Sequence, residues 1–329
     1  MKKEVLLDVK DLKTYFYSRQ GVIKSVDGVS FQLKRGEVLG LVGESGAGKS
    51  ITGFSILRLI SPPGKIVNGE IYFLGKDLLK MKESEIEKIR GNRISMVFQD
   101  PMTSLNPLLT IGEQLMEVLR YHLGMKKREA KDRAIELLRM VGIPSPEKRL
   151  KQYPHQFSGG MRQRVVIAIA MATNPDLIIA DEPTTALDVT IQAQIIKLMQ
   201  DLIAEYKTSM ILISHDLAVV SEIADKIAVM YAGKIVEYGP KAQVIGNPKH
   251  PYTQGLLNSL PNFDQKQKRL KPIKGVMPNP LNLPAGCKFK PRCPEAKVKC
   301  DVMPELKAVG ESHWVACHKL SLQAIKEVI

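Results

Sequence analysis

Val38-Leu39-Gly40-Leu41-Val42-Gly43-Glu44-Ser45-Gly46-Ala47-Gly48-Lys49-Ser50-Ile51 is an apolar pentapeptide, then G-x-x-x-x-G-K-S without deviation, then the start of a helical pattern. Strand, glycine-rich loop and helix in that order define a phosphate-binding loop. The glycines let backbone N–H groups curl round phosphate oxygens, and the helix N-terminus adds positive potential. Lys49 places a point charge on the β/γ oxygens, and the Ser50 hydroxyl is placed to ligate Mg²⁺. Gly43, Glu44, Ser45, Gly46, Ala47, Gly48, Lys49, Ser50 and Ile51 are therefore the expected phosphate-binding residues. A glycine-rich turn with a chance lysine is the competing reading. It leaves unexplained why a strand and a helix stand in register on either side.

Further on, Leu177-Ile178-Ile179-Ala180-Asp181-Glu182 ends an apolar strand in two carboxylates. The C-terminal edge of a sheet, beside a phosphate loop, is where Mg²⁺ must be held. Asp181 is the expected Mg²⁺ ligand. Glu182, one residue on, is expected to orient or deprotonate an attacking water. Acidic pairs that close a strand at a solvated turn are common, but this one shares a chain with a phosphate loop.

Composition bounds the rest. The 329 residues are 44% hydrophobic and 25% charged, an ordinary foldable balance and not that of a disordered or fibrous chain. The length suits a large core plus a second small unit. No apolar run approaches the ~18–20 residues of a membrane span. The start, Met1-Lys2-Lys3-Glu4-Val5-Leu6-Leu7-Asp8, lacks the uninterrupted apolar stretch of a signal peptide, so a cytosolic protein is expected. The formal net charge is +14, and the stretch from Ser259 to Ile329 carries +7 of it. Such a surplus suits nucleic acid, anionic lipid or simple solubility, and the count does not choose among them.

Over the first two thirds, short apolar strands alternate with longer helical patterns, as in an α/β layer fold. Strands are predicted at Val38–Val42, Glu70–Phe73, Ile94–Phe98, Leu177–Ala180, Met210–Ile213 and Ile227–Met230. Helices are predicted at Lys49–Leu59, Ile111–Leu123, Lys126–Val141, Gly159–Thr173, Val189–Tyr206 and Leu217–Ala224. Between Gln99 and Ser158 the periodicity is purely helical, which reads as a helical insertion. Eleven of the 20 prolines lie at or after Pro240, and the run Pro272–Pro294 reads as irregular chain.

Phe157-Ser158-Gly159-Gly160-Met161-Arg162-Gln163-Arg164 precedes an apolar helix. Ser158 fits an N-cap, and the two glycines leave that helix start bare for an anion. With two phosphate-seeking helix starts in one chain, the sequence resembles the ATPase subunits of ABC transporters over nearly its whole length. The resemblance implies an α/β fold: a P-loop NTPase (RecA-like) core, an antiparallel β subdomain and a helical insertion. It further implies ATP and Mg²⁺ as cofactors. Ser158, Gly159 and Gly160 match the family signature, which closes over the γ-phosphate of ATP held by a second subunit. Gln99 matches the glutamine that touches Mg²⁺ and senses the membrane subunits. Asp188, in Thr184-Thr185-Ala186-Leu187-Asp188, matches the aspartate that couples two sites, and His215 the histidine that contacts the γ-phosphate. Phe16 is the best match for the aromatic that stacks on adenine, with Tyr15 and Tyr17 as rivals. Family members often have Leu and Gln where this chain has Phe157 and Met161. Neither side chain is needed for the backbone contacts.

The 4 cysteines, Cys287, Cys293, Cys300 and Cys317, crowd into the tail. Their spacing is not the paired C-x2-C of common zinc modules. In a cytosolic chain it suits a metal or cluster site better than disulfides. A four-iron, four-sulfur cluster (4Fe–4S) fits four thiolates, and zinc with His313 or His318 as spare ligands stays open. Asn247-Pro248-Lys249-His250-Pro251-Tyr252-Thr253, Gly286-Cys287-Lys288-Phe289, Arg292-Cys293-Pro294 and Trp314-Val315-Ala316-Cys317-His318 resemble the C-terminal extension of the oligopeptide/dipeptide/nickel importer ATPases. That resemblance implies the iron–sulfur cluster in preference to zinc.

The expectation is an ATPase that powers peptide import: a nucleotide-binding domain over 1–258, with a helical subdomain at about 101–173, and a cysteine-bearing extension over 259–329. Expected partners are two membrane permease subunits, a second ATPase subunit and, indirectly, an extracytoplasmic binding protein. No nucleic acid is expected. The location implied is the cytoplasmic side of the membrane, peripherally. Nickel and oligosaccharide importers use similar subunits. A DNA-repair ATPase shares the motifs, but the compact interval between phosphate loop and signature has no room for the long coiled coil of that class.

Overall fold

The computed structural model describes residues 4–185, 187–259 and 272–319. Ala186 of the Thr184–Asp188 stretch, and 260–271 and 320–329 of the expected extension, lie outside the described residues. The described chain falls into two units. The phosphate-loop unit is built from Val5–Leu33, Val38–Leu79 and the described residues from Ile213 onward. The helical unit is built from Lys34–Glu37 and Lys80–Leu212, with Glu4.

The phosphate-loop unit contains a four-stranded sheet in the order Gly21–Lys34, Val5–Ser18, Gly64–Phe73, Lys76–Asp77. Val5–Ser18 runs antiparallel to Gly64–Phe73, with Leu7 opposite Phe73 and Phe16 opposite Gly64. Leu6, Leu7 and Val9 are buried before an irregular stretch of pairing from Lys10 to Thr14, and Leu12 and Thr14 within it and at its end. There one extra residue on this strand is followed by one extra residue on its partner, and the buried positions pass from Leu7 and Val9 to Leu12 and Thr14. Asp11, at φ 44, makes the bend. A strand whose two-residue period changes phase midway escapes a periodicity search, and Val5–Ser18 is absent from the predicted strands.

The unit's second set of strands holds the phosphate loop. Val38–Val42, wholly buried, lies parallel to Lys226–Tyr231, with Val42 opposite Val229. Lys234–Pro240, His313–Val315 and Lys307–Gly310 follow in that order, each antiparallel to its neighbour. The last two strands belong to the tail, so the extension is not irregular throughout. It turns through short 3₁₀ helices at Lys290–Arg292 and Val298–Asp301 and then adds a hairpin to the sheet edge. Two contacts, the first fully buried, lock the hairpin there. His313 Nε2 meets Glu237 Oε1 at 2.8 Å, and Trp314 lies 5.4 Å from Tyr238.

In the helical unit Ile94–Val97 and Leu177–Asp181 run parallel, with Val97 opposite Ala180. Among the described residues between Gln99 and Ser158 there are helices and no strand, as the periodicity predicts. Ile111–Leu123 starts on a capping box: Thr110 Oγ1 accepts from the Glu113 N–H, and Glu113 Oε2 accepts from the Thr110 N–H. It buries Ile111, Leu115 and Leu119 at helical spacing and ends at Gly124, whose φ of 65 suits a residue without Cβ. Lys127–Met140 buries Ala130, Ala134, Leu137 and Leu138. Gly159–Met171 and Val189–Tyr206 complete the set.

Candidate nucleotide site

The phosphate loop turns as its glycines require. Gly48 sits at φ 100, and a Cβ there would stand 2.1 Å from the Ser25 carbonyl oxygen, so no larger residue fits without moving backbone. At Gly46 nothing lies within 4 Å of an added Cβ, so this side of the loop opens outward. That is the shape a cradle for phosphates needs. Lys49 is buried, and its Nζ donates to the carbonyls of Gly43 (2.7 Å) and Glu44 (3.1 Å), which spans the loop with its ammonium. Lys49 and Ser50 open the helix Lys49–Ile56.

The aromatic trio on Val5–Ser18 divides between the two faces of the strand. Thr14 Oγ1 meets Ser55 Oγ at 2.7 Å, so the Thr14 face looks onto the helix that follows the phosphate loop. Phe16, two residues on, shares that face and packs at Gly64, where a Cβ would come within 2.6 Å of its ring. Tyr15 and Tyr17 face the other way. The Tyr15 hydroxyl donates to Asp27 Oδ1 at 2.8 Å, and burial, with that bond second, pushes its pKa up to about 12. Of the three rings, Phe16 is the one that shares a face with the loop's helix.

In the helical unit Asp181 ends its strand buried, and Glu182 follows at φ 45, a left-handed conformation that is costly for a residue with a side chain. Two donors meet on Glu182 Oε2: Thr185 Oγ1 at 2.9 Å and Gln99 Nε2 at 3.3 Å. The structure thus brings Gln99 to Glu182 across 83 positions of sequence. Thr185, not singled out from the sequence, is the closer partner. Ser158 is the N-cap of Gly159–Met171, its Oγ accepting from the Met161 N–H at 3.4 Å, and Ser158 and Gly159 are exposed. Gly160 lies against the Val189–Tyr206 helix, where a Cβ would stand 2.8 Å from Ile191. Asp188 caps that helix from an exposed position without a side-chain cap bond. In the phosphate-loop unit, exposed His215 follows Ser209–Ser214 and precedes a helix capped by Asp216, which accepts from the Ala218 N–H at 2.8 Å.

Cys287, Cys293, Cys300 and Cys317 all line one cavity, with Lys290, Lys297 and other lysines around it. Burial raises the thiol pKa of Cys287 and Cys317 and pushes that of Cys293 up to about 11. Neighbouring thiols add to the rise in each case. Among the described residues no three His, Cys, Asp or Glu side chains are grouped to hold a single metal ion. The zinc alternative loses one of its spare ligands, because His313 is committed to Glu237 and is absent from the cavity wall. His318 is on the wall, its ring Nε2 2.9 Å from the Val302 carbonyl.

The strand–loop–helix cradle, the acidic strand end and the Ser-Gly-Gly helix start define an ATP-hydrolysing cassette. Residues 26–185 match the ABC transporter family, and residues 236–300 match the C-terminal region of oligopeptide/dipeptide transporters. The chain is 57% identical over 296 residues to the Bacillus subtilis oligopeptide transport ATP-binding protein AppD, covering 90% of each. It is 49% identical to the Escherichia coli oligopeptide transport ATP-binding protein OppD, covering 96% of this chain and 94% of that one. Among solved structures, the dimeric ATP-binding cassette MJ0796, bound to ADP and Pi, aligns with a TM-score of 0.65 and 30% identity over 72% of this chain and 99% of that one. This chain belongs to the ABC-transporter ATP-binding proteins that carry the oligopeptide/dipeptide transporter C-terminal region, and it is an ATPase. No described helix is long and apolar enough to cross a membrane.

Proposed function

We propose that this chain hydrolyses ATP to power peptide import, as one of two ATPase subunits docked on the cytoplasmic face of two membrane permeases. An extracytoplasmic binding protein would deliver the peptide. One observation carries the reading: a phosphate loop and an oligopeptide/dipeptide-type C-terminal region stand in one chain, whose relatives named for oligopeptide and dipeptide transport match it nearly end to end. In this reading residues 1–258 are the nucleotide-binding domain and 259–329 its extension.

The amides of Gly43–Ile51 and the Lys49 ammonium bind the phosphates, and Phe16 packs on adenine. Ser50, Asp181 and Gln99 would hold Mg²⁺, which neutralises phosphate charge. Glu182 orients the attacking water and takes its proton, with Thr185 and Gln99 fixing the carboxylate. His215 contacts the γ-phosphate. The Ser158–Gly160 helix start of a second copy closes the site, and Asp188 couples the two sites. Gln99 and the helical insertion carry the contact with the permeases.

The thiol cavity fits a 4Fe–4S cluster. Four cysteines line it, a metal centre would let the thiols of Cys287, Cys293 and Cys317 ionise against the rise that burial imposes, and the lysines around it would offset the negative charge of a tetrathiolate cluster. Iron and acid-labile sulfide in anoxically purified protein test this, and zinc without sulfide would exclude it. For the main reading, Ser158→Arg in the full chain is expected to keep ATP binding while abolishing ATP-dependent dimerisation and turnover. Turnover by a strict monomer, indifferent to Ser158→Arg, would overturn it.

A further inference from the structure

Two basic side chains of the thiol-bearing segment reach other parts of the phosphate-loop unit, and one of them reaches the loop itself. Arg292, the residue before Cys293, forks onto Glu44 of the phosphate loop: Nη1 donates to Oε2 at 2.5 Å and Nη2 to Oε1 at 2.9 Å. Its Nε donates to the Lys274 carbonyl at 3.0 Å, and its guanidinium lies 5.8 Å over the Tyr231 ring. The Arg292 side chain is 5% exposed and that of Glu44 32%, so the fork is buried on the guanidinium side and partly open on the carboxylate side. Lys288, the residue after Cys287, donates to Asp27 Oδ2 at 3.0 Å and to the Ala232 carbonyl at 2.9 Å. Between the two, Phe289 packs edge-on against Tyr231, 5.1 Å away, and also lies against Tyr252, whose hydroxyl accepts from the Glu44 N–H at 2.9 Å.

Glu44 needs a counter-charge. A carboxylate in a loop built to gather a polyphosphate repels that ligand, and in a partly buried site the repulsion is weakly screened. A bidentate guanidinium both neutralises the carboxylate and fixes its plane. We propose that Arg292 is a positioning residue of the nucleotide site: carried by the extension, it cancels and orients Glu44 so that the phosphate loop accepts ATP. This rests on residues 43–51 being the nucleotide loop. By linkage, ATP binding and the docking of the thiol segment then strengthen each other.

The test uses the full chain with MgATP as probe. The dissociation constant is measured by equilibrium binding and kcat at saturation, in wild type, Arg292→Ala, Arg292→Lys, Glu44→Gln and the double variant Glu44→Gln/Arg292→Ala. Arg292→Ala is expected to raise the dissociation constant about ten-fold, less at high salt, with Arg292→Lys in between because it keeps the charge and loses the fork. The double variant should recover most of the lost affinity, since the carboxylate left without its partner is then gone. A mere structural prop would not be rescued by a second deletion. Unchanged affinity in Arg292→Ala overturns the proposal, and so does a double variant as weak as Arg292→Ala. Lys49→Ala is the control: if it binds ATP like wild type, the reading of the loop itself has failed. If it alone loses ATP, only the role of Arg292 has failed.

Discussion

Glu182→Gln separates catalysis from binding and folding, and the structure sets the size of each effect. The φ of 45 at Glu182 is retained by glutamine, so the backbone cost of about 1–2 kcal/mol is common to both proteins and cancels. The Thr185 hydroxyl, 2.9 Å from the carboxylate, still finds an oxygen on the amide, but a charge-assisted bond becomes a neutral one about half as strong. Stability therefore falls by about 0.5–1 kcal/mol, small against the ~5–15 kcal/mol of a folded protein. In the proposed role of Glu182 as base, its loss should lower turnover by about 10²–10⁴-fold, or roughly 3–5 kcal/mol in the barrier. Phosphate release at saturating MgATP, with nucleotide affinity and dimer content followed in parallel, reads all three. The expected variant binds ATP normally, accumulates as an ATP-bound dimer and barely turns over. Glu182→Gly supplies the counterpart: it relieves the left-handed strain, so it should match or exceed wild type in melting temperature while losing turnover as severely. Turnover within a few-fold of wild type in Glu182→Gln would refute the base assignment.

Two further substitutions probe the scaffold. Gly48→Ala forces a Cβ to 2.1 Å from the Ser25 carbonyl at a φ of 100, and should cost more than about 2 kcal/mol and abolish ATP binding. An unshifted melting temperature would show that the loop is not packed as described. Asp176 accepts hydrogen bonds from Arg35 and Arg93, and although burial alone would raise its pKa, these partners hold it below the usual 3.8. A depressed folded pKa adds stability that is fully present above about pH 4 and is lost as pH falls below it toward the folded pKa. Asp176→Asn should thus be less stable than wild type in urea at pH 7, with the gap smaller at pH 3. A gap of equal size at both pH values contradicts this ion-pair account.

Backbone-encoded features were legible from the sequence. The phosphate loop announces itself because its amides need glycines at set positions after a strand. The helices Ile111–Leu123 and Val189–Tyr206 fall where their apolar spacing predicts. The acidic strand end and the Ser158 cap are equally local. Other features depended on how distant segments meet. The phase change over Lys10–Thr14 hid Val5–Ser18 from a period-two reading, and the Lys307–Val315 hairpin, beyond the proline-rich run Pro272–Pro294, is built of strands too short to show a period. Thr185 on Glu182, the placing of Phe16 and Tyr15 on opposite faces of their strand, and the diversion of His313 to Glu237 depend on which face a side chain occupies. The Arg292–Glu44 fork joins residues 248 positions apart. Periodicity and caps are written in neighbouring residues, whereas a contact across that separation exists only once the chain has closed on itself, because no local signal carries its geometry.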